Sequence, residues 1–169
     1  MENIVLIGMP GCGKSTAGVV LAKVMGYRFI DADLLIQERE KRLLSEIIEA
    51  EGAEGFNRIE NEVNASITSD CSVIATGGSV VYGKEAMKHL GEIGIIVYLR
   101  LPLSELEVRL GDLAERGISM KEGQTLENLY SERTPLYEKY ADIVLDVEGL
   151  SIREAVMRIR EAVTLFREG

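Results

Sequence analysis

The nine residues GMPGCGKST, at positions 8–16, are the feature that most restricts how this chain can fold. They match the phosphate-loop pattern G-x-x-x-x-G-K-[ST], with Gly8, Gly13, Lys14 and Ser15 at the defined positions. An apolar run at 4–7 precedes the loop, and a stretch of helical character at 17–25 follows it. Such a loop places backbone N–H groups at a helix N-terminus around phosphate oxygens. The motif therefore predicts a nucleoside triphosphate site between a strand and a helix.

The residue types in the loop assign a role to each position. Lys14 is expected to reach the β- and γ-phosphates, and the Ser15 hydroxyl is expected to take one Mg²⁺ position. ATP is favoured over GTP because the guanine-reading tetrapeptide N-K-x-D is absent from the sequence. The ATP-binding residues predicted from the loop are Gly11, Cys12, Gly13, Lys14, Ser15 and Thr16.

Short runs rich in Val and Ile alternate with longer stretches of helical period, which is typical of a parallel sheet covered by helices on both faces. The predicted strands are 4–7, 27–31, 72–75, 94–99 and 143–146, and the run at 94–99 is expected to be buried along its whole length. A chain of 169 residues has the usual size of one domain. The fold class predicted is a three-layer α/β phosphate-loop domain, residues 1–169, with a five-stranded parallel sheet and ligands at the carboxyl ends of its strands.

Several helix boundaries are also predicted. The pattern S-x-x-E at Ser104–Glu107 and Ser151–Glu154 indicates two capped helix starts. Apolar residues at spacings of three and four between 41 and 67 indicate two helices broken near Gly52 and Gly55. A helical insertion is therefore expected between strands two and three, at about 33–62, as a candidate substrate-binding segment. The stretch from Gly111 to Gly123 has no clear pattern of helix or strand and is the candidate for a lid, at about 111–124.

The charge of the chain bears on its partners and its compartment. A net charge of −9 and a pI near 4.8 disfavour nucleic acid as a partner, because such binding needs a surplus of Lys and Arg. Met1 is followed by no basic region, and no apolar run approaches the roughly 18 residues of a membrane span. We expect a cytoplasmic monomer in which Cys12 and Cys71 are free thiols.

Two carboxylates, Asp31 and Asp33, stand at the end of the second predicted strand. Residues two apart on a strand start on the same side, so both are expected to face the phosphate loop. One carboxylate can then serve Mg²⁺ while the other takes a hydroxyl of the phosphate acceptor. A GTP switch is disfavoured because N-K-x-D is absent, and a motor or regulatory ATPase is disfavoured because it would usually be longer and carry a coupling domain, so a small kinase is expected.

With these elements, the chain resembles the shikimate kinase family of small phosphate-loop kinases. The resemblance rests on the phosphate loop, on D-x-D after strand two, on Thr76-Gly77-Gly78-Ser79 after strand three, and on Arg133-Thr134-Pro135-Leu136-Tyr137. It implies that Asp31 orders the Mg²⁺ water shell and that Asp33 holds the acceptor hydroxyl. It also implies that Gly77 and Gly78 approach the acceptor, that Arg133 pairs with its carboxylate, that Arg116 in the lid approaches the phosphates, and that Arg109 packs on adenine.

The chain departs from the family pattern in the lid, where Gly117-Ile118 follows Arg116 in place of the usual Pro-Leu, and at two positions near the acceptor. Asn57, after Phe56, stands where the family has an arginine that pairs with the substrate carboxylate, and Ser79 stands where a third Gly is usual. Arg58 is rotated by about 100° from that position. The reaction expected is transfer of the ATP γ-phosphate to the 3-hydroxyl of shikimate. Two alternatives stay open: a kinase for another hydroxy acid or polyol, and a module that binds ATP without turnover.

Overall fold

A five-stranded parallel sheet forms the centre of the computed structural model, which describes residues 2–110, 118, 121 and 123–169. The strand order β2-β3-β1-β4-β5 and the parallel pairing confirm the predicted sheet. The predicted strand bounds are accurate to within one residue at each end. The strands are β1 (Asn3–Ile7), β2 (Arg28–Asp31), β3 (Ser72–Ala75), β4 (Gly94–Arg100) and β5 (Ile143–Asp146).

Helices cover the sheet on both faces. Right-handed connections between parallel strands lie on opposite faces of a sheet when they run in opposite directions across it. The connection from β1 to β2 runs toward one edge of the sheet, and the connection from β3 to β4 runs toward the other edge. The described residues accordingly form α1 (Lys14–Met25), α2 (Ala32–Glu40), α3 (Leu44–Ala65), α4 (Lys84–Ile93), α5 (Leu103–Arg109), α6 (Leu126–Tyr140) and α7 (Ile152–Glu168), with a short 3₁₀ helix at Val80–Tyr82. Among these helices α1 packs against α7, and α3 packs against α4.

The direction of the chain therefore reverses between the neighbouring strands β1 and β3. The loop after β1 leads to one face, and the loop after β3 leads to the other, so a crevice opens between their carboxyl ends. The phosphate loop and the Gly77-Gly78 turn are these two loops. The topology alone places the two predicted ligand-binding segments side by side.

The core is built on the two central strands. Every residue of β1 is buried, as is every residue of β4 from Gly94 to Leu99, which confirms the continuous burial predicted for this strand. Apolar side chains pointing to both faces of the sheet are what a parallel sheet between two helical layers requires. None of the helices described is long and apolar enough to cross a membrane.

The helical insertion is broken at only one of the two glycines near which a break was predicted. Gly52, with φ 71° and ψ 178°, interrupts α3, a conformation that a glycine adopts at low cost. Gly55 instead lies in the continuous helical part, buried against the Cβ of Glu51. Most of the segment predicted as a lid, including Arg116, lies outside the described residues.

The two predicted capping boxes differ in outcome. At α7 the Ser151 hydroxyl accepts a hydrogen bond from the Glu154 N–H at 3.1 Å, and the Glu154 carboxylate accepts one from the Ser151 N–H, as predicted. The prediction at Ser104 is wrong, because α5 begins at Leu103 and its N-cap is Pro102. Pro102 is extended, with φ −68° and ψ 153°, and takes the N-cap position. The N-cap thus lies two residues before Ser104, which is already inside the helix.

This contrast gives a test of the capping assignment. Replacing Ser151 by Ala leaves the Glu154 N–H without its partner, so the free energy of unfolding should fall by about 1 kcal/mol. Ser104→Ala is the matched control from the same S-x-x-E pattern and should change stability by less than about 0.5 kcal/mol. Urea unfolding followed by circular dichroism measures both, and equal losses would contradict the assignment.

Candidate active site

The phosphate loop leads directly into the N-terminus of α1. Gly13 is the N-cap, with a positive φ of 97°, and no side chain among the described residues caps this helix start. The first backbone N–H groups of α1 are thus available to an anion. Lys14 is 7% exposed, and its ammonium group donates hydrogen bonds to the carbonyls of Gly8 at 2.7 Å and Met9 at 2.9 Å.

A cavity of about 410 Å³ lies between the carboxyl ends of β1 and β3. It joins the phosphate loop to the insertion, to the Gly77-Gly78 turn and to α6. Four ionisable side chains from four parts of the chain line this single cavity. They are Lys14, Asp33, Glu60 and Arg133. Ser15 and Thr16 also line its phosphate-loop side.

The D-x-D pair is held by a helix start and not by strand alternation. Asp31 ends β2 and caps α2, where its Oδ1 accepts a hydrogen bond from the Asp33 N–H at 3.0 Å. Asp33 therefore lies in the first turn of α2 and lines the cavity, whereas the described wall of the cavity does not include Asp31. The pKa of Asp33 is raised to about 6, mainly because burial disfavours the charged form and also because the Asp31 carboxylate is close, while Lys14 opposes the rise.

Glu60 provides a second carboxyl group at the same place. It projects from α3, is 1% exposed, and accepts a short hydrogen bond from the Ser79 hydroxyl through Oε1. A β-carbon added to Gly77 would lie 2.5 Å from Glu60 Oε2 and 2.9 Å from Asp33 Oδ1. Both carboxyl groups thus converge above Gly77, and only a residue without a side chain leaves this space open.

Burial strongly affects the charge of Glu60. It raises the pKa of Glu60 to about 7, while the Ser79 hydrogen bond opposes the rise, Asp33 adds to it, and Arg133 and Lys14 oppose it. A carboxyl group that changes its charge near neutral pH inside a cleft is a common feature of functional sites.

Arg133 supplies the positive charge opposite these carboxyl groups. It lies on α6, is 1% exposed, and its Nε donates to the Tyr82 hydroxyl at 3.3 Å, with the guanidinium 5.4 Å from the centre of the Tyr82 ring. A β-carbon on Gly78 would lie 3.0 Å from Arg133 Nη1. One turn further along α6, the Tyr137 hydroxyl donates to the Gly78 carbonyl at 2.5 Å, so α6 holds both the arginine and the turn.

Asn57 lies in the wall of a second cavity, of about 260 Å³, which shares Arg133 with the first. Lys121, from the described part of the predicted lid, lines the same wall. Arg58 is exposed, and the described wall of neither cavity includes it. Arg58 therefore does not take the place of the missing arginine, in agreement with the rotation of about 100° that separates it from position 57 on a helix.

The two remaining predicted arginines differ in what the structure describes. The Arg109 Nη1 donates to the Gly11 carbonyl at 3.2 Å, so this side chain lies on the phosphate loop. Arg116 lies outside the described residues.

Sequence reasoning missed the roles of Glu60, Ser79 and Tyr137 in this site. For Glu60 a signal was present, because it occupies the buried face of α3 together with Phe56 and Val63. A carboxylate at an apolar position of a helix is seldom buried unless it is paired. Ser79 and Tyr137 gave no comparable signal, since their partners are 19 and 59 residues away in sequence.

The fold and the cavity together define a phosphate-loop kinase that transfers a phosphoryl group from ATP to a hydroxyl group. The family model for shikimate kinase matches residues 10–164. A shikimate kinase of Thermodesulfovibrio yellowstonii is 39% identical over 162 residues, which is 94% of this chain and 93% of that protein. One from Methylococcus capsulatus is 39% identical over 164 residues, covering 95% and 92%.

Solved structures agree with the sequence comparison. The shikimate kinase of Acinetobacter baumannii in complex with shikimate has a TM-score of 0.82 at 27% identity, covering 97% of this chain and 93% of that one. The enzyme of Aquifex aeolicus has a TM-score of 0.81 at 30% identity, with 96% of each chain covered. This chain belongs to the shikimate kinase family.

Burial of Glu60 has a measurable effect on stability. Its pKa rises on folding from 4.5 to about 7, so the stability that the protonated group provides is present below pH 4.5 and is lost as pH rises through about 7. Glu60→Gln cannot ionise and should therefore gain stability over the wild type as pH rises from about 5 to 8.

Urea unfolding at both pH values measures this difference. Glu49→Gln, at an exposed position of the same helix, is the control and should show no such change with pH. If the free energy of unfolding differs between Glu60→Gln and the wild type by the same amount at both pH values, an ionisable carboxyl group is not buried at this position.

Proposed function

We propose that the chain transfers the γ-phosphoryl group of ATP to the 3-hydroxyl of shikimate, as a cytoplasmic monomer. The observation that carries the proposal is the single cavity in which Lys14 of the phosphate loop faces Asp33, Glu60 and Arg133. An acceptor with both hydroxyl groups and a carboxylate fits this mixture of charges, because carboxylates accept hydrogen bonds from hydroxyls and a guanidinium pairs with a carboxylate. The net charge of −9 supports a small-molecule partner over nucleic acid.

The phosphate side follows from the loop geometry. The N–H groups of residues 11–16 and the Lys14 ammonium group bind the phosphates. Arg116, in the lid, is assigned to neutralise the negative charge of the same phosphates. Ser15 lines the cavity, and Asp31 ends β2, which lies two strands from β1 at the same edge of the sheet. Both supply oxygen ligands of the kind that a hard cation prefers. Mg²⁺ bound there neutralises charge on the phosphates. Arg109, already on the Gly11 carbonyl, is assigned to the adenine.

The acceptor side follows from the carboxyl groups and Arg133. Asp33 orients the attacking hydroxyl and takes up its proton, while Glu60 accepts a hydrogen bond from a neighbouring hydroxyl. Arg133 binds the carboxylate, and Gly77 and Gly78 let the acceptor approach the backbone closely. Catalysis then depends mainly on positioning and on charges fixed before the reaction begins.

One observation favours a second acceptor, another hydroxy acid or polyol. Asn57, in the cavity shared with Arg133, is neutral where the family has a guanidinium. Losing one of two charged partners of a buried carboxylate costs on the order of 2 to 3 kcal/mol, or about 30- to 150-fold in affinity. Lys121 in the same wall is a cation that reduces this loss.

The direct test is ADP release from MgATP with and without shikimate. The wild type should be strongly stimulated by shikimate, and Lys14→Ala should lose at least about 100-fold of this activity because the phosphates lose their main cation. Asn57→Arg, assayed in parallel, should lower the KM for shikimate by up to about 100-fold. If only Asn57→Arg responds to shikimate, the chemistry is right and the natural acceptor is another hydroxylated anion. If neither responds, the proposed acceptor is wrong.

Asp33→Asn separates the acceptor role from ATP binding. Phosphorylation of the acceptor should fall by at least about 100-fold, because an amide cannot take up the proton, while the Kd for ATP should change by less than about twofold. Calorimetry with ATP and a coupled ADP assay measure the two quantities. The control is Asp146→Asn, an exposed carboxylate at the end of β5 that pairs with Arg100 and should retain full activity. Full activity of Asp33→Asn would remove Asp33 from the site.

A further inference from the structure

Ser79 and Glu60 form a buried pair of polar side chains joined by a hydrogen bond. Ser79 is 5% exposed and Glu60 is 1% exposed, and the hydroxyl of Ser79 donates to Glu60 Oε1. Glu60 Oε2 is buried and has no hydrogen-bond partner among the described residues. A buried carboxylate oxygen without a partner is costly, so an oxygen of this kind facing a cavity is suited to receive a ligand.

The unpartnered oxygen points to the place where the acceptor is expected. A β-carbon on Gly77 would lie within 3 Å of both Glu60 Oε2 and Asp33 Oδ1, and Glu60 and Asp33 both line the larger cavity. These two oxygens therefore form a pair of hydrogen-bond acceptors directed at adjacent hydroxyl groups of one small molecule.

The terminal torsion of a glutamate is broad, so the direction of Oε2 must be fixed by a partner of Oε1. Ser79 precedes the 3₁₀ helix Val80–Tyr82 and follows directly on the glycine turn, so its hydroxyl is placed by the same turn that borders the acceptor. The geometry points to Ser79 as a positioning residue for acceptor recognition: it holds Oε1 of Glu60 and thereby directs Oε2 to an acceptor hydroxyl beside Asp33. This inference rests on the function proposed above.

Charge adds a second effect of the same hydrogen bond. The charged groups that act on Glu60 are Asp33 from α2, Arg133 from α6 and Lys14 from α1. Burial and Asp33 raise the pKa of Glu60, whereas the Ser79 hydrogen bond, Arg133 and Lys14 lower it. Removing the hydroxyl should therefore raise the pKa of Glu60 further and leave less of the ionised, hydrogen-bond-accepting form near neutral pH.

The test compares Ser79→Ala, Ser79→Gly and Ser79→Thr in steady-state kinetics with MgATP and shikimate. The Ala and Gly variants should raise the KM for shikimate about tenfold, change kcat by less than about threefold, and leave the KM for ATP unchanged. The acidic limb of their kcat/KM profile should move to higher pH, because Glu60 takes up its proton more readily. Ser79→Thr keeps the hydroxyl and should restore the KM for shikimate and the position of the limb.

Ser72→Ala is the matched control. Ser72 is also a buried serine, with its hydroxyl 2.5 Å from that of Ser69, but it lies at the opposite end of β3 from the cavity. Ser72→Ala should leave the KM for shikimate, kcat, the KM for ATP and the pH profile of kcat/KM unchanged. Ala and Gly variants of Ser79 with the wild-type KM and the wild-type pH profile would overturn the inference, as would an equal loss for Ser72→Ala.

Failure of the proposed function has a different result. It would appear in the wild type, as no stimulation by shikimate, and it would not affect the contact between Ser79 and Glu60. In that case a ¹³C NMR titration of the Glu60 carboxyl group in the wild type and in Ser79→Ala decides the inference. A higher titration midpoint in Ser79→Ala supports it, and an unchanged midpoint overturns it.

Discussion

Burial of the Glu60 carboxyl group and the Arg133 guanidinium, with the half-buried Asp33 beside them at the carboxyl end of a parallel sheet, is the constraint on which the rest of this structure depends. An ionised group moved out of water loses several kcal/mol of hydration, and only well-placed partners offset this loss. Asp33, Glu60 and Arg133 lie on three different helices, so no single element can satisfy them. The helices must be held in register, and the sheet between them provides the rigid frame.

The contacts around the glycine turn show how this register is maintained. The Tyr137 hydroxyl of α6 donates a hydrogen bond to the Gly78 carbonyl, and the Ser79 hydroxyl at the end of the turn donates one to the Glu60 carboxyl group of α3. Tyr82, one helical turn beyond Ser79, bonds both Arg133 and Glu132 of α6. A change in any of these hydroxyl groups therefore acts on the acceptor cavity through a neighbour, even where the hydroxyl itself touches no ligand.

Much of this arrangement could be predicted from the sequence, because the relevant signals are local. The phosphate loop, the five strands and the cap at Ser151 each depend on residues within a few positions of one another. The cap at Ser104 shows where local reasoning fails, since Pro102 starts the helix earlier than the S-x-x-E pattern suggests. The expectation that strand alternation places Asp31 and Asp33 on one side is wrong, because β2 ends at Asp31 and an N-cap hydrogen bond sets the relation of the two residues.

The features that the sequence did not reveal are long-range contacts between polar side chains. Ser79 alone reads as a departure from a glycine-rich pattern that narrows a site, and its hydroxyl gains a function only when α3 brings Glu60 against it. Only the fold shows such pairs, because no periodicity connects a turn to a helix about 20 residues away.

Under the proposed function, two of the departures from the family pattern, Asn57 and Ser79, act on different parts of the acceptor. Asn57 removes a positive charge near Arg133 and so weakens the grip on a carboxylate, whereas Ser79 adds a hydrogen-bond donor that fixes a carboxyl group facing hydroxyls. A charged hydrogen bond lost at one end of a small molecule and better-directed ones at the other end have comparable magnitudes, about 1 to 3 kcal/mol each. Under the proposed function, recognition in this chain therefore depends more on the hydroxyl groups of the acceptor, and less on its carboxylate, than in a relative that has both arginines and a third glycine.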